Sequence, residues 1–431
     1  MNAITAAGLS TKSENEIGRF GIGFKAVFQY TDGPEIYDDN IRFGLKDEIV
    51  PYLIKDDFAG RKPGETCFYV PFRSAEKERA YSDIKDKIVS IMHPLLFLSN
   101  LKEISFNSSE LTGQYSKEVC DSKYYRENDS CIEVEFLILK SKFGDKETET
   151  KVLKFSTETT DGRVAVVLGI DDKDGSIRLI PLQCPVFCFF PTKKETGLNF
   201  LIHAPFLLND SREGIKEGNE HNIKLIVYLA NLAVNAINLL ESKIPSEIHN
   251  WFGRRECGVK IIDDGILDYV PLNLKETHDE ISLKAFELCF NALFTTQAVI
   301  PCQSGDDREL VYRKKENVSW SSDCGLINLL TPTQLASLLD QPSMCWGFAT
   351  VNGSKLSSEK ESFIKICCGN IVSWSSIWPK MTAGFFDQQP IEWFKNFFDY
   401  LVQNRSRDLD AYKTLPMFLN GDGRAVSAFD K

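Results

Sequence analysis

The sequence contains no CxxC pair, no signal peptide and no long uninterrupted apolar run. Twelve cysteines are present, yet no histidine lies at ligand spacing from them, so a zinc site is disfavoured and buried free thiols are expected. Free thiols without a secretory signal indicate a reducing, cytoplasmic environment. The most apolar stretch, Ile223–Leu240, is interrupted by Lys224 and several asparagines, which predicts a buried or amphipathic helix rather than a membrane span.

A broad basic surface is also missing. The formal net charge is -11, and the longest basic cluster, Arg313-Lys314-Lys315, is followed by Glu316, so nucleic-acid binding is disfavoured. The 431 residues indicate about three domains. A hydrophobic content of 43% with 26% charged residues is ordinary for a globular protein and argues against wholesale disorder.

Periodicity and turn signals divide the chain into a β-rich middle between two regions of mixed character. The expected strands are Ile41–Leu45, Thr66–Phe72, Ile132–Leu139, Val152–Ser156, Val164–Ile170, Ile177–Leu182, Val186–Phe190 and Leu198–Ile202. The expected helices are Gly21–Tyr30, Ala75–Met92, Glu220–Lys243, Asp279–Phe294, Pro332–Leu339, Glu359–Ile366 and Pro390–Val402. Leu95–Leu98 is expected to be a buried turn. The many aromatic residues after Pro245 are expected to form core rather than a platform for stacking bases.

Gly18, Gly21 and Gly23 stand directly before the apolar run Phe24–Phe28. Glycines let the backbone approach phosphate oxygens without an intervening Cβ, and the start of a helix presents free N–H groups and a positive dipole end. These features together predict an anion cradle. No Gly-Lys-Ser/Thr follows and no strand precedes, so the segment is neither a Walker A loop nor a Rossmann turn. A flexible connector before a helix is the alternative for the glycines alone.

Ile17–Phe28, IGRFGIGFKAVF, resembles the lid-and-glycine motif of GHKL (Bergerat-fold) ATPases, nearest to the ninety-kilodalton heat-shock chaperones and the sacsin-type ATPase domains. Ser10-Thr11-Lys12 is similar to the lid segment of that group. The resemblance implies Lys12 as the lid cation. It also implies the phosphate-loop residues Gly18, Gly21, Ile22, Gly23 and Phe24. Lys25 is weighed as a further phosphate contact, with a solvated helix residue as the favoured alternative.

Two further segments carry the same resemblance. Gly64–Pro71 is similar to the family's Gly-Thr strand, which implies that Thr66 lies near the adenine, although Glu65 stands where the family usually has glycine. An ordinary strand threonine is the alternative. Leu207–Glu213, LLNDSRE, is similar to a middle-domain segment of the heat-shock chaperones, which implies that Arg212 reaches the γ-phosphate and stabilises charge during hydrolysis.

From the residue types alone, the Arg212 guanidinium offers a charged donor fork that suits phosphate, while a surface ion pair with Glu213 is the alternative. Lys193 and Lys194 are weaker candidates for the same phosphate. His203 lies in an apolar strand and is expected to be a satisfied core histidine rather than a catalyst.

In the family, a helix upstream of the lid carries a glutamate that activates water and an asparagine that helps hold Mg²⁺. A strand-loop then supplies an aspartate that reads the adenine. None of these precedes Ser10, so we expect the chain to open inside the ATP lid, through a shortened gene, a late assigned start or a second polypeptide. We expect hydrolysis to be very slow without that general base, and nucleotide binding to be weak without that aspartate.

The resulting fold prediction is α+β. Residues 1–107 are expected to form the C-terminal part of a GHKL ATP-binding domain, a partial Bergerat sandwich; 108–243 a transducer-like β-rich α/β middle domain; and 244–431 a mixed α/β region. The function expected is ATP and Mg²⁺ binding with nucleotide-driven lid closure and domain coupling, in a chaperone-like role. The alternatives are a non-catalytic interaction module and the ATPase component of a bacterial defence system. Protein clients or self-association are the expected partners, without nucleic acid or membrane.

Overall fold

A computed structural model of the chain describes residues 24–47, 50–127, 129–172, 176–182, 185–209, 213–216, 218–244, 258–259, 263–272, 284–351, 356–404 and 411–428. The architecture is mixed α/β, with 33% helix and 32% strand in several separate sheets. This fits the predicted α+β class.

The amino-terminal part is a small antiparallel sheet with a short helix packed against it. Its elements are a 3-10 helix Phe24–Gln29, β1 Glu35–Tyr37, β2 Arg42–Lys46, β3 Val50–Leu53, β4 Cys67–Tyr69 and α1 Lys77–Ser90. The strand order is β3-β2-β1-β4. A small core of Phe28, Ile36, Phe43 and Leu45 joins the 3-10 helix to the sheet. The predicted strand Ile41–Leu45 is present as β2, shifted by one residue, and the predicted Thr66–Phe72 as the shorter β4, while β1 and β3 were not predicted. The predicted helix Ala75–Met92 is present as the shorter α1, and the described part of the predicted helix Gly21–Tyr30 forms the 3-10 helix.

The largest sheet has ten strands. They are β5 Glu103–Asn107, β6 Thr112–Glu127, β7 Ser130–Phe143, β8 Lys146–Thr159, β9 Gly162–Asp171, β10 Ser176–Ile180, β11 Pro185–Cys188, β12 Phe190–Glu195, β13 Leu201–His203 and β14 Gly258–Val259. The main order is β12-β11-β13-β9-β8-β7-β6-β5, with β10 beside β9 and β14 beside β10. Long antiparallel ladders join β6 through β9. Five of the six predicted strands of this region are confirmed as β7 to β11, and the predicted Leu198–Ile202 overlaps β13 at Leu201 and Ile202. The strands β5, β6, β12 and β14 were not predicted.

One long helix, α2 Glu220–Ser242, covers one face of this sheet. Asn219 caps it by accepting a hydrogen bond from the Asn222 backbone N–H, and the predicted Glu220–Lys243 helix is confirmed. By length and composition alone α2 is apolar enough to cross a membrane, but 61% of that apolar window is buried inside the fold. Its apolar side chains pack on the sheet, as expected of a core helix.

The carboxyl-terminal part adds a five-stranded sheet and several helices. The strands are β15 Ile300–Ser304, β16 Glu309–Arg313, β17 Val318–Trp320, β18 Cys345–Gly347 and β19 Asn370–Ile371, in the order β16-β15-β18-β17-β19. The helices are α3 Lys284–Thr296, α4 Cys324–Leu329, α5 Pro332–Leu338, α6 Ser358–Cys367, α7 Trp374–Ile377, α8 Ala383–Phe386, α9 Ile391–Gln403 and α10 Ala411–Thr414. A hairpin of β20 Phe418–Leu419 and β21 Ala425–Val426 follows. The four helices predicted here are confirmed within the described residues.

Aromatic residues form much of the core after residue 284, as predicted. Phe286 and Phe290 on α3 pack against Phe200, so the core beneath α2 continues into the carboxyl-terminal part. A second cluster includes Trp346, Trp374 and Phe397 with other buried side chains of residues 326–425. The division into domains 1–107, 108–243 and 244–431 stays a prediction. The hydrophobic core is continuous across residue 244, and β5 pairs with β6 across residue 107.

The ten cysteines that the structure describes are free thiols. Four are buried as expected, namely Cys302, Cys345, Cys367 and Cys368. Burial raises the pKa of Cys367 to about 12, which keeps its thiol protonated. Cys120 and Cys131 differ from the expectation, since they stand exposed on β6 and β7.

Candidate functional site

The end of the predicted phosphate loop is anchored on the amino-terminal sheet. Lys12, Gly18, Gly21, Ile22, Gly23 and Arg212 lie outside the described residues, while Phe24 and Thr66 lie within them. Phe24 opens the 3-10 helix, and its ring centroid lies 6.1 Å from that of Phe68 in β4. Four residues further on, Phe28 is buried in the small core. The residue that follows the glycines is therefore fixed against the strand that follows Thr66.

Arg73 holds the other end of the 3-10 helix. Its guanidinium donates to the carbonyl oxygens of Phe28 at 2.9 Å and Gln29 at 3.1 Å, and its Nε donates to Asp32 at 2.7 Å. A cation at this end satisfies helix carbonyls that lack a partner and opposes the negative pole of the helix. The hydrogen bond to Asp32 raises the pKa of Arg73, so the group stays charged. The sequence did not predict this role of Arg73, because the guanidinium binds main-chain carbonyl oxygens, and main-chain partners leave no recognisable pattern of residue types.

Thr66 belongs to a polar network at the opposite end of β1. Its hydroxyl donates to Asp38 at 2.8 Å, and this hydrogen bond is the main cause that lowers the pKa of Asp38. Arg61 pairs with Asp39 at 2.8 Å and with Asp57 at 2.7 Å. The network ties residues 57–66 to the β1–β2 turn. The threonine hydroxyl thus has a protein partner, and its proposed place near an adenine stays a prediction.

Gly64 completes this network. Its backbone N–H donates to Asp39 at 2.8 Å, and its φ of 84° lies in the region that glycine adopts without strain. The glycine that opens the predicted Gly-Thr strand is therefore required by the turn itself. The conformation of the turn therefore explains why a glycine stands at position 64, and no contact with a ligand is required.

The second predicted segment is fixed on both sides of Arg212. Leu208 and Ile215 form an isolated antiparallel bridge. Asn209 N–H donates to the Gly214 carbonyl at 2.9 Å, and Lys193 N–H donates to the Glu213 carbonyl at 2.7 Å. The Lys193 ammonium also pairs with the Glu213 carboxylate at 2.5 Å. These contacts fix the two ends of a short connection beside β12.

His203 is a core residue, as predicted. Its side chain is stacked on Phe97 with 4.3 Å between ring centroids, and its Nδ1 accepts a hydrogen bond from the Phe189 N–H at 3.2 Å. Burial lowers the pKa of His203 to about 3, so the imidazole is neutral at physiological pH. A neutral ring with one nitrogen already occupied by the main chain fits a structural role.

Within the described ranges, no group of three or more histidine, cysteine, aspartate or glutamate side chains is placed to hold a metal ion. The arrangement around Phe24 and Thr66 offers an anchored helix start and a nearby strand. Such a start can position backbone N–H groups toward an anion.

No protein-family model matches the chain. The chain is similar to Protein NO VEIN of Arabidopsis thaliana, with 28% identity over 276 residues that cover 58% of this chain. The matched part is 10% of that protein, so the chain corresponds to a small fraction of the curated relative. The name of the relative states neither a ligand nor a reaction, and the likeness therefore supports no particular chemistry.

Proposed function

We propose that this chain is an ATP-binding protein of the sacsin-like GHKL group, in which nucleotide closes a lid over the glycine loop in a chaperone-like role. The supporting observation is the packing of Phe24 on Phe68. Phe24 directly follows Gly23, and Phe68 lies two residues after Thr66. Two segments that the resemblance assigns to one nucleotide site are thus neighbours in the fold, although they are distant in the sequence.

The remaining parts of this proposal follow from the same assignment. The four-stranded sheet with its 3-10 helix is compatible with the C-terminal part of a Bergerat sandwich. Arg212, whose neighbours Asn209 and Gly214 are fixed by hydrogen bonds, is the proposed γ-phosphate sensor that couples the domains. Mg²⁺ accompanies the nucleotide, and hydrolysis is slow. A cytoplasmic location and protein clients or self-association complete the proposal.

Calorimetry with ATP and Mg²⁺ on the full chain tests nucleotide binding. We expect a dissociation constant on the order of 10 µM to 1 mM, and no measurable binding by Gly21→Val, because a side chain there blocks the approach of phosphate. Gly421→Val is the matched control, since a Cβ at Gly421 meets open space in the β20–β21 turn. Absence of heat at millimolar ATP contradicts the proposal.

Phe68→Ala tests the anchoring of the glycine loop without touching the glycines. We expect a several-fold weaker affinity for ATP, because the aromatic contact that fixes Phe24 is lost. Leu53→Ala is the control, since Leu53 lies on the same sheet face, is 74% exposed and stands on the far edge strand β3. Equal affinities of the two variants for ATP would show that the packing of Phe24 on Phe68 does not contribute to nucleotide binding.

Arg212→Ala tests the proposed phosphate sensor. We expect weaker ATP binding and unchanged ADP binding, since only ATP carries the γ-phosphate that this arginine is proposed to contact. Arg178→Ala, an exposed arginine on β10, is the control. An equal loss of ATP and ADP affinity contradicts a γ-phosphate role.

A second candidate function, a non-catalytic protein-interaction module, is favoured by one observation. Phe68 and Leu53 flank Ile36 and Phe43 on one face of the amino-terminal sheet and are 55% and 74% exposed. Exposed apolar side chains on one face are typical of contact surfaces. Under this alternative the calorimetry shows no ATP binding by the wild-type chain.

A further inference from the structure

A polar cavity of about 440 Å³ opens on the face of the large sheet opposite α2. Its floor is one row of cross-strand neighbours, Glu133 on β7, Ser156 on β8, Ala165 on β9 and His203 on β13. The segment after Leu98 and the turn at Phe189 form its walls. This volume lies in the range of cavities that hold small metabolites.

A bulge in β6 brings more side chains to the same face. The register of β6 against β7 shifts between Val119 and Asp121. Because of this shift, Lys117 and Val119 before the bulge and Tyr124 after it all line the cavity. Without the bulge, one of these two sets would point to the α2 face.

The charges in the cavity are not balanced. Four cations, Lys102, Lys117, Lys154 and Arg163, line it with two carboxylates, Glu133 and Glu135, which leaves a surplus of two positive charges. Lys154 pairs with Glu135, and Arg163 pairs with Glu133. In the described part of the chain, neither Lys102 nor Lys117 takes part in an ion pair. This surplus stands out in a chain whose net charge is -11.

Lys117 is a partly desolvated ammonium in this cavity. Its ammonium donates to the Leu98 carbonyl at 2.5 Å, which satisfies one of its three N–H bonds. Burial and the nearby charges of Lys154 and Lys102 lower the pKa of Lys117, and Glu135 only partly offsets them. A bound anion would relieve this repulsion and complete the hydrogen bonds of the ammonium.

Ser156 supplies a second, independent sign of a ligand. The residue is 1% exposed, and its Oγ has no hydrogen-bond partner among the residues that the structure describes. Buried hydroxyls are nearly always hydrogen-bonded, because an unsatisfied one costs about 1–3 kcal/mol. This hydroxyl lines the cavity floor next to Glu133 and Ala165.

The cavity wall also contains a strained residue. Phe189 has a φ of 64°, a left-handed conformation that bulky residues rarely adopt. Its N–H donates to His203, and its ring packs against the imidazole at 5.1 Å between centroids. Such strain persists only where the surroundings fix it, and it is concentrated at functional sites.

We propose that this cavity is a binding site for a small phosphate monoester, whose phosphate lies beside Lys102 and Lys117 and whose organic part extends along the cavity floor toward Ser156. A phosphate monoester carries close to two negative charges at neutral pH, which matches the surplus of two. Lysine ammonium groups bind phosphate as point charges, and the Ser156 hydroxyl donates to a polar group of the organic part. The organic part lies against the apolar wall of Phe97, Val119 and Phe189. This site is separate from the glycine loop.

Calorimetry with phenyl phosphate on the full chain tests the site. We expect a dissociation constant on the order of 0.1 mM. Benzoate has the same ring and one negative charge, and we expect it to bind about tenfold more weakly. Absence of heat with phenyl phosphate, or equal affinity for benzoate, overturns the assignment.

Two variants locate the bound phosphate. Lys117→Met is expected to weaken phenyl phosphate binding about tenfold, and Lys102→Met about threefold, because each removes one charged contact to the phosphate. Lys140→Met is the matched control, because Lys140 lies on the opposite face of β7 beside Glu149. Unchanged binding by Lys117→Met, or an equal loss by Lys140→Met, excludes this cavity as the site.

Gly21→Val separates this site from the proposed nucleotide site. We expect the variant to bind phenyl phosphate with the wild-type affinity, because none of the lining residues belongs to the amino-terminal sheet. Loss of phenyl phosphate binding in this variant contradicts a separate site. A chain that binds phenyl phosphate and not ATP would refute only the proposed function.

Discussion

The amino-terminal sheet and the ten-stranded sheet differ in what holds them together. The first has four buried side chains in its own core and leaves Phe68 and Leu53 largely exposed. The second buries the inner faces of β7, β8 and β9 under α2 and continues into the core of the carboxyl-terminal part. Because burial of apolar area is the main source of stability, the two regions are expected to unfold with different free energies.

They also differ in how function is marked. The amino-terminal sheet follows a glycine motif that resembles that of GHKL ATPases, yet the hydroxyl of Thr66 is bonded to Asp38. The ten-stranded sheet carries no motif, yet it holds a cavity with surplus charge and an unsatisfied serine. The first proposed site therefore rests on a sequence motif, and the second rests on burial and charge.

The largest expected effect concerns the two cores. Phe155→Ala, on the α2 face of β8, is expected to lower the free energy of unfolding of the whole chain by about 3–5 kcal/mol. Phe43→Ala is expected to unfold only the amino-terminal sheet, because its small core is separate. Chemical denaturation followed by hydrogen exchange distinguishes global from local loss. Equal loss of protection throughout the chain in both variants would show that the two cores form one cooperative unit.

The next effect is a pH dependence that belongs to the ten-stranded sheet. His203 has a pKa of about 3 in the folded chain and an ordinary value of 6.5. Below pH 6.5 the imidazole is therefore protonated in the unfolded chain, while in the folded chain it stays neutral down to about pH 3. The neutral His203 contributes its full stabilisation above pH 6.5, and the free energy of unfolding decreases as the pH falls below that value. From pH 7 to pH 5 the loss is about 2 kcal/mol.

His203→Phe is expected to flatten this fall while keeping an aromatic ring against Phe97. Some pH dependence remains, because burial also lowers the pKa of His93. His221→Gln, at the start of α2, is the control. Thermal unfolding at pH 7 and pH 5 measures the difference, and a slope unchanged by His203→Phe contradicts the assignment.

A smaller effect tests the surplus charge. Lys117→Met is expected to raise the free energy of unfolding by about 1 kcal/mol without ligand, because it removes a desolvated ammonium near Lys154 and Lys102. Lys140→Met is expected to leave stability nearly unchanged. A residue that lowers stability while it serves binding is typical of functional sites. Destabilisation by Lys117→Met would show that its bond to Leu98 outweighs the repulsion.

The smallest effect is local to the amino-terminal sheet. Arg73→Met is expected to speed hydrogen exchange of the Tyr30 and Thr31 amides, which donate to Val27 at the end of the 3-10 helix. The cause is the loss of the guanidinium bonds to the helix carbonyls. Arg79→Met, an exposed residue of α1, is the control. Unchanged exchange in Arg73→Met means that the helix end is held by packing alone.

Several elements were predictable because their own residues determine them. The α2 helix is apolar around most of its surface and has a capping asparagine, so its bounds follow from composition and capping. The core role of His203 followed from its apolar neighbours. The strand β6 was not predicted, because polar residues lie on both of its faces and give no alternation of apolar and polar positions. It is a strand because it pairs with β5 on one side and with β7 on the other.

The phosphate cavity was not predictable for a related reason. Lys117, Lys154 and Arg163 lie on three different strands, and each reads in the sequence as an ordinary solvated side chain. Only the register of the sheet and the bulge in β6 bring them together. The short strands β17 and β18 were missed because three buried residues give no periodicity.

Hydrogen exchange of the full chain with ATP and Mg²⁺ tests the central claim most directly. We expect nucleotide to slow exchange in residues 24–29 and 67–69 and to leave residues 117–124 unchanged, because the proposed nucleotide site lies at the amino-terminal sheet. Phenyl phosphate is expected to give the reverse pattern. Unchanged exchange at residues 24–29 and 67–69 at saturating ATP would contradict a nucleotide site beside Phe24 and Phe68.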